Sequence, residues 1–278
     1  MRLFRYDDHG AVCDGIVLDG VHYALPCSLE QILADERPAA EQERAFRAMD
    51  LTALDAASLR FAPCCVDRPE KILCVGLNYM AHQQETDMRN SAKFPPLFCK
   101  FRNSLLGHEG TIPLPRCAER FDYEVELVIT IGRAVHEADE REAAAAIFGY
   151  TVGNDFSARD LQTATSQWLM GKACDGFAPI GPYLITADEL DPADLAITSR
   201  VNGELRQNGR TSDMIFTCAQ IVSHISQVMT LVPGDVIYTG TPAGVILGMP
   251  EEKRVWLKAG DTVEVEVEGI GTLRSTLA

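Results

Sequence analysis

Closely spaced carboxylates are the first feature of this chain that could do chemistry. In Phe121-Asp122-Tyr123-Glu124-Val125-Glu126-Leu127-Val128-Ile129-Thr130-Ile131, alternate residues of an extended strand share a face. Tyr123, Val125, Leu127, Ile129 and Ile131 then form one apolar face, and Glu124 and Glu126 lie together on the other. Two carboxylates on one half-buried face repel each other unless a cation sits between them. The competing reading is an edge strand that turns this face to solvent. A second strand pattern, Gly149 to Asp155, delivers Asp155 at its end. Glu124, Glu126 and Asp155 make a set of hard oxygen ligands without His or Cys. Such a set suits Mg²⁺ or Mn²⁺, with Ca²⁺ as a substitute, over zinc or copper. It also leaves coordination positions open to water and to substrate oxygens.

Other groups could act beside that site. His82 and Glu85 are three residues apart, so one helical turn puts them on the same face. A carboxylate beside an imidazole fixes its tautomer and raises its pKa, and the pair could activate a water molecule. The competing reading is a surface loop, as it is for His108 in Leu106-Gly107-His108-Glu109-Gly110. Lys172 follows Gly171 in a stretch rich in small residues and proline, where backbone can approach a ligand closely. It could bind a substrate carboxylate or stabilise an oxyanion. The glycine spacing of a phosphate-binding P-loop is missing there. Thr239-Gly240-Thr241-Pro242-Ala243-Gly244 ends a strand in a polar loop that offers N–H groups and the Thr241 hydroxyl to an anion, or else makes an ordinary tight turn.

The elements that must position these residues divide into two parts. Residues 1–68 read as a small α+β module: short apolar runs around the hairpin signal Asp19-Gly20, a helix opened by Ser28, and an Ala-, Glu- and Arg-rich helical stretch over 37–60. Residues 69–278 are dominated by strands and turns. Strands are expected at 72–76, 121–131, 149–155, 197–201, 236–239 and 262–267, with helices at 139–147, capped by Asp139, and at 212–229. No alternating βα rhythm of a doubly wound sheet is present. The class is α+β, mainly β.

Composition narrows the partners. A net charge of −15 excludes the Lys/Arg surface that nucleic acid or an anionic membrane requires. No stretch reaches the roughly 18 apolar residues of a membrane span, and residues 1–8 lack the apolar core of a signal peptide. The nine cysteines are odd in number and form no Cys-x-x-Cys pair, which points to reduced thiols and a cytoplasmic location.

Five motifs in order, Gly-Leu-Asn-Tyr-x-x-His at 76–82, Asp-Tyr-Glu-x-Glu-Leu at 122–127, Gly-Tyr-Thr at 149–151 with Asn-Asp-Phe-Ser-Ala-Arg-Asp-Leu-Gln at 154–162, Gly-Lys at 171–172 and Gly-Thr-Pro-Ala-Gly at 240–244, resemble the fumarylacetoacetate hydrolase family. The resemblance spans about residues 70–278, and the N-terminal module is similar to the shorter extension on many bacterial members. It implies a mixed β-roll or sandwich around the metal site, and a homodimer. It implies Glu124, Glu126 and Asp155 as Mg²⁺/Mn²⁺ ligands, with His82 and Glu85 as a catalytic dyad on a lid segment. Arg159, Gln162 and Lys172 match positions that hold substrate or stabilise its oxyanion, and Thr241 matches the loop that grips a substrate carboxylate. The chain departs from the family at Phe101-Arg102-Asn103, where many members carry a proline-containing segment; Arg102 is a candidate for reshaping the pocket. The implied substrate is a small 2-oxo or β-diketo acid. The leading expectation is hydrolytic C–C cleavage of an acylpyruvate or 2,4-diketo acid. The alternatives are oxaloacetate decarboxylation, isomerisation or decarboxylation of a muconate-type acid at the same site, and a non-catalytic metal-stabilised binding protein.

Overall fold

The computed structural model describes residues 1–86 and 94–278. The fold is mainly β. Its largest element is a sheet of ten strands, ordered in space Ala53–Leu54, Val21–Ala24, Ala11–Leu18, Arg2–Asp8, Tyr183–Thr186, Ile147–Asn154, Val125–Ile131, Val236–Tyr238, Ile72–Val75, Leu97–Lys100. A second, five-stranded sheet runs Glu204–Arg210, Ala196–Val201, Thr262–Val267, Gly271–Leu277, Gly110–Ile112. Asp19-Gly20 closes the first hairpin with both residues in the left-handed region, at φ 52° and 81°, as a two-residue turn that follows the strand twist requires.

The strand that carries Glu126, with Glu124 immediately before it, lies in the interior of the large sheet. Val125–Ile131 pairs with Ile147–Asn154 on one side and Val236–Tyr238 on the other, and every residue in it is buried. The solvent-facing edge reading of Glu-x-Glu is therefore excluded. Its apolar face, Val125, Leu127, Ile129 and Ile131, packs in one core with Ile197, Val263, Val265 and Leu273 of the second sheet. Val128, on the opposite face, joins Cys74, Ile180 and Tyr238 in a separate apolar cluster. The carboxylates thus occupy the one polar stretch of a face that is otherwise covered.

Three elements differ from the sequence expectation. The strand expected over 121–131 is broken at Tyr123–Glu124: Phe121–Asp122 pairs with Ser157–Ala158, and Val125–Ile131 pairs with the strand ending at Asn154. Both chains bend at the same level, where Asp155 N–H donates to Glu124 O and Asn154 Oδ1 accepts from Glu124 N–H. Side chains at the bend leave the strict alternation, which lets Glu124 and Asp155 turn toward one point. The helical stretch over 37–60 is helix only from Ala39 to Arg47; a short strand and a 3₁₀ turn follow, after Asp50. The helix expected over 212–229 runs from Cys218 to Ser226. It starts late because Thr217 and Gln220 form a reciprocal capping box there.

The first strands extend the large sheet through Arg2–Asp8 beside Tyr183–Thr186. Helices Leu29–Ala34 and Ala39–Arg47 cover that end, with Leu29, Ile32, Leu33 and Phe46 packed on Leu3, Ile16 and Leu184. All nine cysteines are free thiols. No described helix is long and apolar enough to cross a membrane.

Candidate active site

Glu124, Glu126 and Asp155 converge, each buried, with one ligand oxygen apiece inside a span of 4.8 Å. Basic side chains hold two of the three. Lys172 Nζ lies 2.7 Å from Glu124 Oε2 and 2.6 Å from Asp155 Oδ2. Lys100 Nζ lies 2.7 Å from Asp155 Oδ1 and also donates to the Phe156 and Phe177 carbonyls. Arg159 Nη2 donates to Glu124 Oε1 at 2.7 Å. Glu126 has no ion-pair partner among the described residues; its Oε2 accepts from Gly240 N–H at 2.7 Å.

This asymmetry sets the charges. Burial favours the neutral form of Glu124, but the attraction of Lys172, Arg159 and His82 outweighs it and holds the carboxyl well below the usual range. Burial also pushes Glu126 up, and there Asp155 and Glu124 push the same way. Burial lowers Lys172, but Asp155 and Glu124 more than reverse it. A divalent cation would supply Glu126 with the counter-charge the chain does not provide. An all-oxygen set of this kind fits Mg²⁺ or Mn²⁺ by donor type, and either ion leaves positions for water and substrate.

His82 sits in the short helix Met80–Glu85, and its Nδ1 is 2.8 Å from Glu85 Oε1. Nε2 has no hydrogen-bond partner among the described residues. The other Glu85 oxygen accepts from Gly244 N–H at 2.8 Å, tying the pair to the Gly240–Gly244 loop. Gly240 must be glycine for two reasons: its φ is +100°, and a Cβ there would lie 2.8 Å from Asn78 Cβ. Asn78 in turn bridges this loop to the Phe216 backbone. Lys172 ends the one-turn helix Leu169–Lys172, which approaches the Arg159–Gln162 turn so closely that a Cβ on Gly171 would stand 2.4 Å from Ala158 O and Gln162 N.

One narrow cavity has His82, Glu124, Glu126 and Asp155 in its wall, together with Arg159, Gln162, Lys172 and Thr241. Phe98, Trp168 and Leu247 supply apolar surface to the same wall. Glu85 reaches this constellation through His82. Two residues singled out by sequence stand elsewhere. His108 accepts from Arg274 N–H and meets Phe61 edge-on, and Arg102 is exposed and not part of the wall.

The chain was compared with known proteins. The family model described as fumarylacetoacetate (FAA) hydrolase C-terminal matches residues 71–278. The chain belongs to the fumarylacetoacetate hydrolase family. It is 40% identical over 253 residues to the mitochondrial oxaloacetate tautomerase Fahd2a of Rattus norvegicus, covering 90% of this chain and 79% of that protein. Among solved structures, it is similar to a fumarylacetoacetate hydrolase from Exiguobacterium antarcticum, with TM-score 0.85, 36% identity, and 100% and 99% of the two chains covered. It is also similar to a 5-carboxymethyl-2-hydroxymuconate delta-isomerase from Mycobacterium smegmatis, with TM-score 0.79, 35% identity, and 100% and 98% covered.

For a fumarylacetoacetate hydrolase family site, three residues stand out that the sequence reading passed over. Asp122 accepts from Arg159 and from the backbone N–H groups of Tyr123, Ile246 and Leu247, so it locks the guanidinium to the far loop. Lys100 holds the outer oxygen of Asp155. Gln207 connects the second sheet to Thr241. A lysine closing the apolar strand Leu97–Lys100 was a usable signal; for Gln207, in a half-exposed strand pattern, no local signal existed.

Proposed function

We propose that this chain catalyses proton transfer at the carbon beside the ketone of a small 2-oxo acid, and that keto–enol tautomerisation of an oxaloacetate-type dicarboxylate is the reaction it performs. One observation supports the reading most: a His–Glu dyad, whose imidazole Nε2 has no partner among the described residues, lines the same cavity as a carboxylate cluster and a buried lysine. The names of the tautomerase and isomerase relatives support it, since both reactions move a proton next to a carbonyl.

A Mg²⁺ or Mn²⁺ ion held by Glu124, Glu126 and Asp155 would act as a Lewis acid on a 2-oxo acid. His82 takes and returns the proton, through the ring nitrogen that Glu85 does not engage. Glu85 fixes the tautomer and steadies the imidazolium that forms. Lys172 and Arg159 offset negative charge that builds on substrate oxygens, and Gln162 keeps Arg159 in place through a 2.9 Å bond. Thr241 and its loop bind the substrate carboxylate. Phe98, Trp168 and Leu247 limit water in the cavity.

The second reading is hydrolysis of an acylpyruvate or 2,4-diketo acid, favoured by the same Nε2, which could equally activate a water molecule. The two readings separate by assay. Oxaloacetate enol decay followed by ultraviolet absorbance, with Mg²⁺ and Mn²⁺, should show catalysis that His82→Ala lowers by roughly 10²–10⁴ without loss of metal binding. Rapid release of acid from acylpyruvates, with no acceleration of enol decay, would replace tautomerisation by hydrolysis. Full activity of either kind after metal stripping would overturn both.

A further inference from the structure

Gln207 and Thr241 carry an inference about how the cavity prepares for its ligand. It rests on the proposed function only in requiring an anionic ligand. Gln207 lies in the strand Glu204–Arg210 and is fully buried. Two backbone groups of opposite kind fix its amide: Oε1 accepts from Val125 N–H at 3.0 Å, and Nε2 donates to Pro242 O at 2.8 Å. Reversing the amide would set NH₂ against N–H and carbonyl against carbonyl. The second N–H of Nε2 therefore goes to Thr241 Oγ1, 2.7 Å away. A hydroxyl has one proton and two lone pairs. Since Thr241 accepts from Gln207, its proton must point elsewhere. No acceptor for it exists among the described residues, although Thr241 is only 2% exposed and stands in the cavity wall.

We infer that Gln207 is a positioning residue, which commits the Thr241 proton to the cavity and so readies this loop for a carboxylate oxygen. The hydroxyl is set before the ligand arrives, so no reorientation opposes binding. Its placement links the second sheet, through Val125, to the chain between Glu124 and Glu126, so the Thr241 loop and the carboxylate cluster share one brace.

The test uses the full-length, Mn²⁺-loaded protein and oxalate as probe, with binding followed by calorimetry. Thr241→Val should weaken oxalate binding roughly tenfold, the usual loss for a hydrogen bond to a charged group. In its ionised form Gln207→Glu offers Thr241 only acceptors, so the hydroxyl proton turns away from the cavity; a loss of at least tenfold is expected at a pH where the introduced carboxyl is ionised. In the double variant Gln207→Glu/Thr241→Val, affinity should equal that of Thr241→Val alone, and Thr241→Ser should restore most of it. Gln207→Met, which keeps the volume but cannot steer the proton, should give a smaller loss that vanishes in the valine background, with Mn²⁺ affinity kept. Wild-type oxalate affinity in Gln207→Glu, or losses that multiply to roughly 100-fold in the double variant, would overturn the inference. If Gln207→Glu does not fold, the same comparison with Gln207→Met decides it. Because no turnover is measured, a failed tautomerase assay leaves this result standing.

Discussion

Glu126 is the carboxylate with no cation of its own, so replacing it with glutamine should have opposite effects in the presence and absence of metal. Without metal, burial, Asp155 and Glu124 all oppose its ionisation. A folded-state pKa raised in this way favours the folded state below the unfolded carboxylate pKa, and that contribution is lost as pH rises through the folded value. Above the unfolded carboxylate pKa the wild type either holds a proton that the unfolded chain has released or carries a buried, uncompensated charge, and both cost stability. Glutamine keeps an acceptor for Gly240 N–H and removes the charge, so at pH 8 in EDTA Glu126→Gln should be more stable than wild type, by about 1–3 kcal/mol. With metal the order reverses. A ligand at 100 times its Kd stabilises by about 2.7 kcal/mol. At about 2–4 °C per kcal/mol, the figure for domains near this size, wild-type Tm should rise by about 5–10 °C with Mn²⁺. The variant, short of one of three ligands, should gain little. Scanning fluorimetry of both proteins in EDTA and in Mn²⁺ provides the four numbers. An unchanged Mn²⁺ shift in Glu126→Gln would refute the ligand assignment, and a lower Tm than wild type in EDTA at pH 8 would refute the charge argument.

Three further outcomes follow from the same geometry. Lys100→Met removes one partner of a buried pair and should cost roughly 3–5 kcal/mol in EDTA, with a smaller loss in Mn²⁺ because the ion takes over Asp155; equal losses in denaturant titrations under both conditions would contradict this. Lys172→Met should lower kcat by roughly 10²–10³ if the ammonium stabilises developing negative charge, and single-turnover kinetics at saturating substrate separate that loss from weaker binding. Glu124 is held below the usual carboxylate range, so its contribution is present above the unfolded carboxylate pKa and is lost as pH falls. Metal-free Tm should therefore decline as pH falls through Glu124 and decline as pH rises above the unfolded carboxylate pKa through Glu126, and Mn²⁺ should flatten the second decline, as a Tm series against pH will show.

Much of the fold was legible in local sequence. Asp19-Gly20, the Asp139 cap, and the alternation from Val125 to Ile131 each have a short-range physical cause, and each holds. The convergence of Glu124, Glu126 and Asp155 was legible for a similar reason, because they lie in or directly beside the adjoining ends of two neighbouring strands. What escaped was set by distance along the chain. The break at Tyr123–Glu124 depends on a matching bend at Asp155–Phe156, and neither segment declares it alone. Gln207 acts across 82 residues on Val125 and 34 on Thr241, and Asp122 acts across 124 on Ile246. Such partners are chosen by how two sheets stack, which periodicity does not encode.

The pattern of ion pairs also says why the site is built from three carboxylates and not two. Lys172 and Arg159 satisfy Glu124, and Lys172 and Lys100 satisfy Asp155, so those two would be content without a metal. A pair so well matched binds a divalent ion only by giving up existing partners. Glu126 changes the balance, since its buried carboxyl gains a counter-charge only when a cation arrives. It therefore favours loading, while the lysines keep the neighbouring carboxylates ordered beforehand. An ion that took over part of that charge would weaken the hold on Lys172 and free the ammonium for a substrate oxygen in the same cavity. The lysine that orders the metal-free site is thus the group best placed to act in the loaded one.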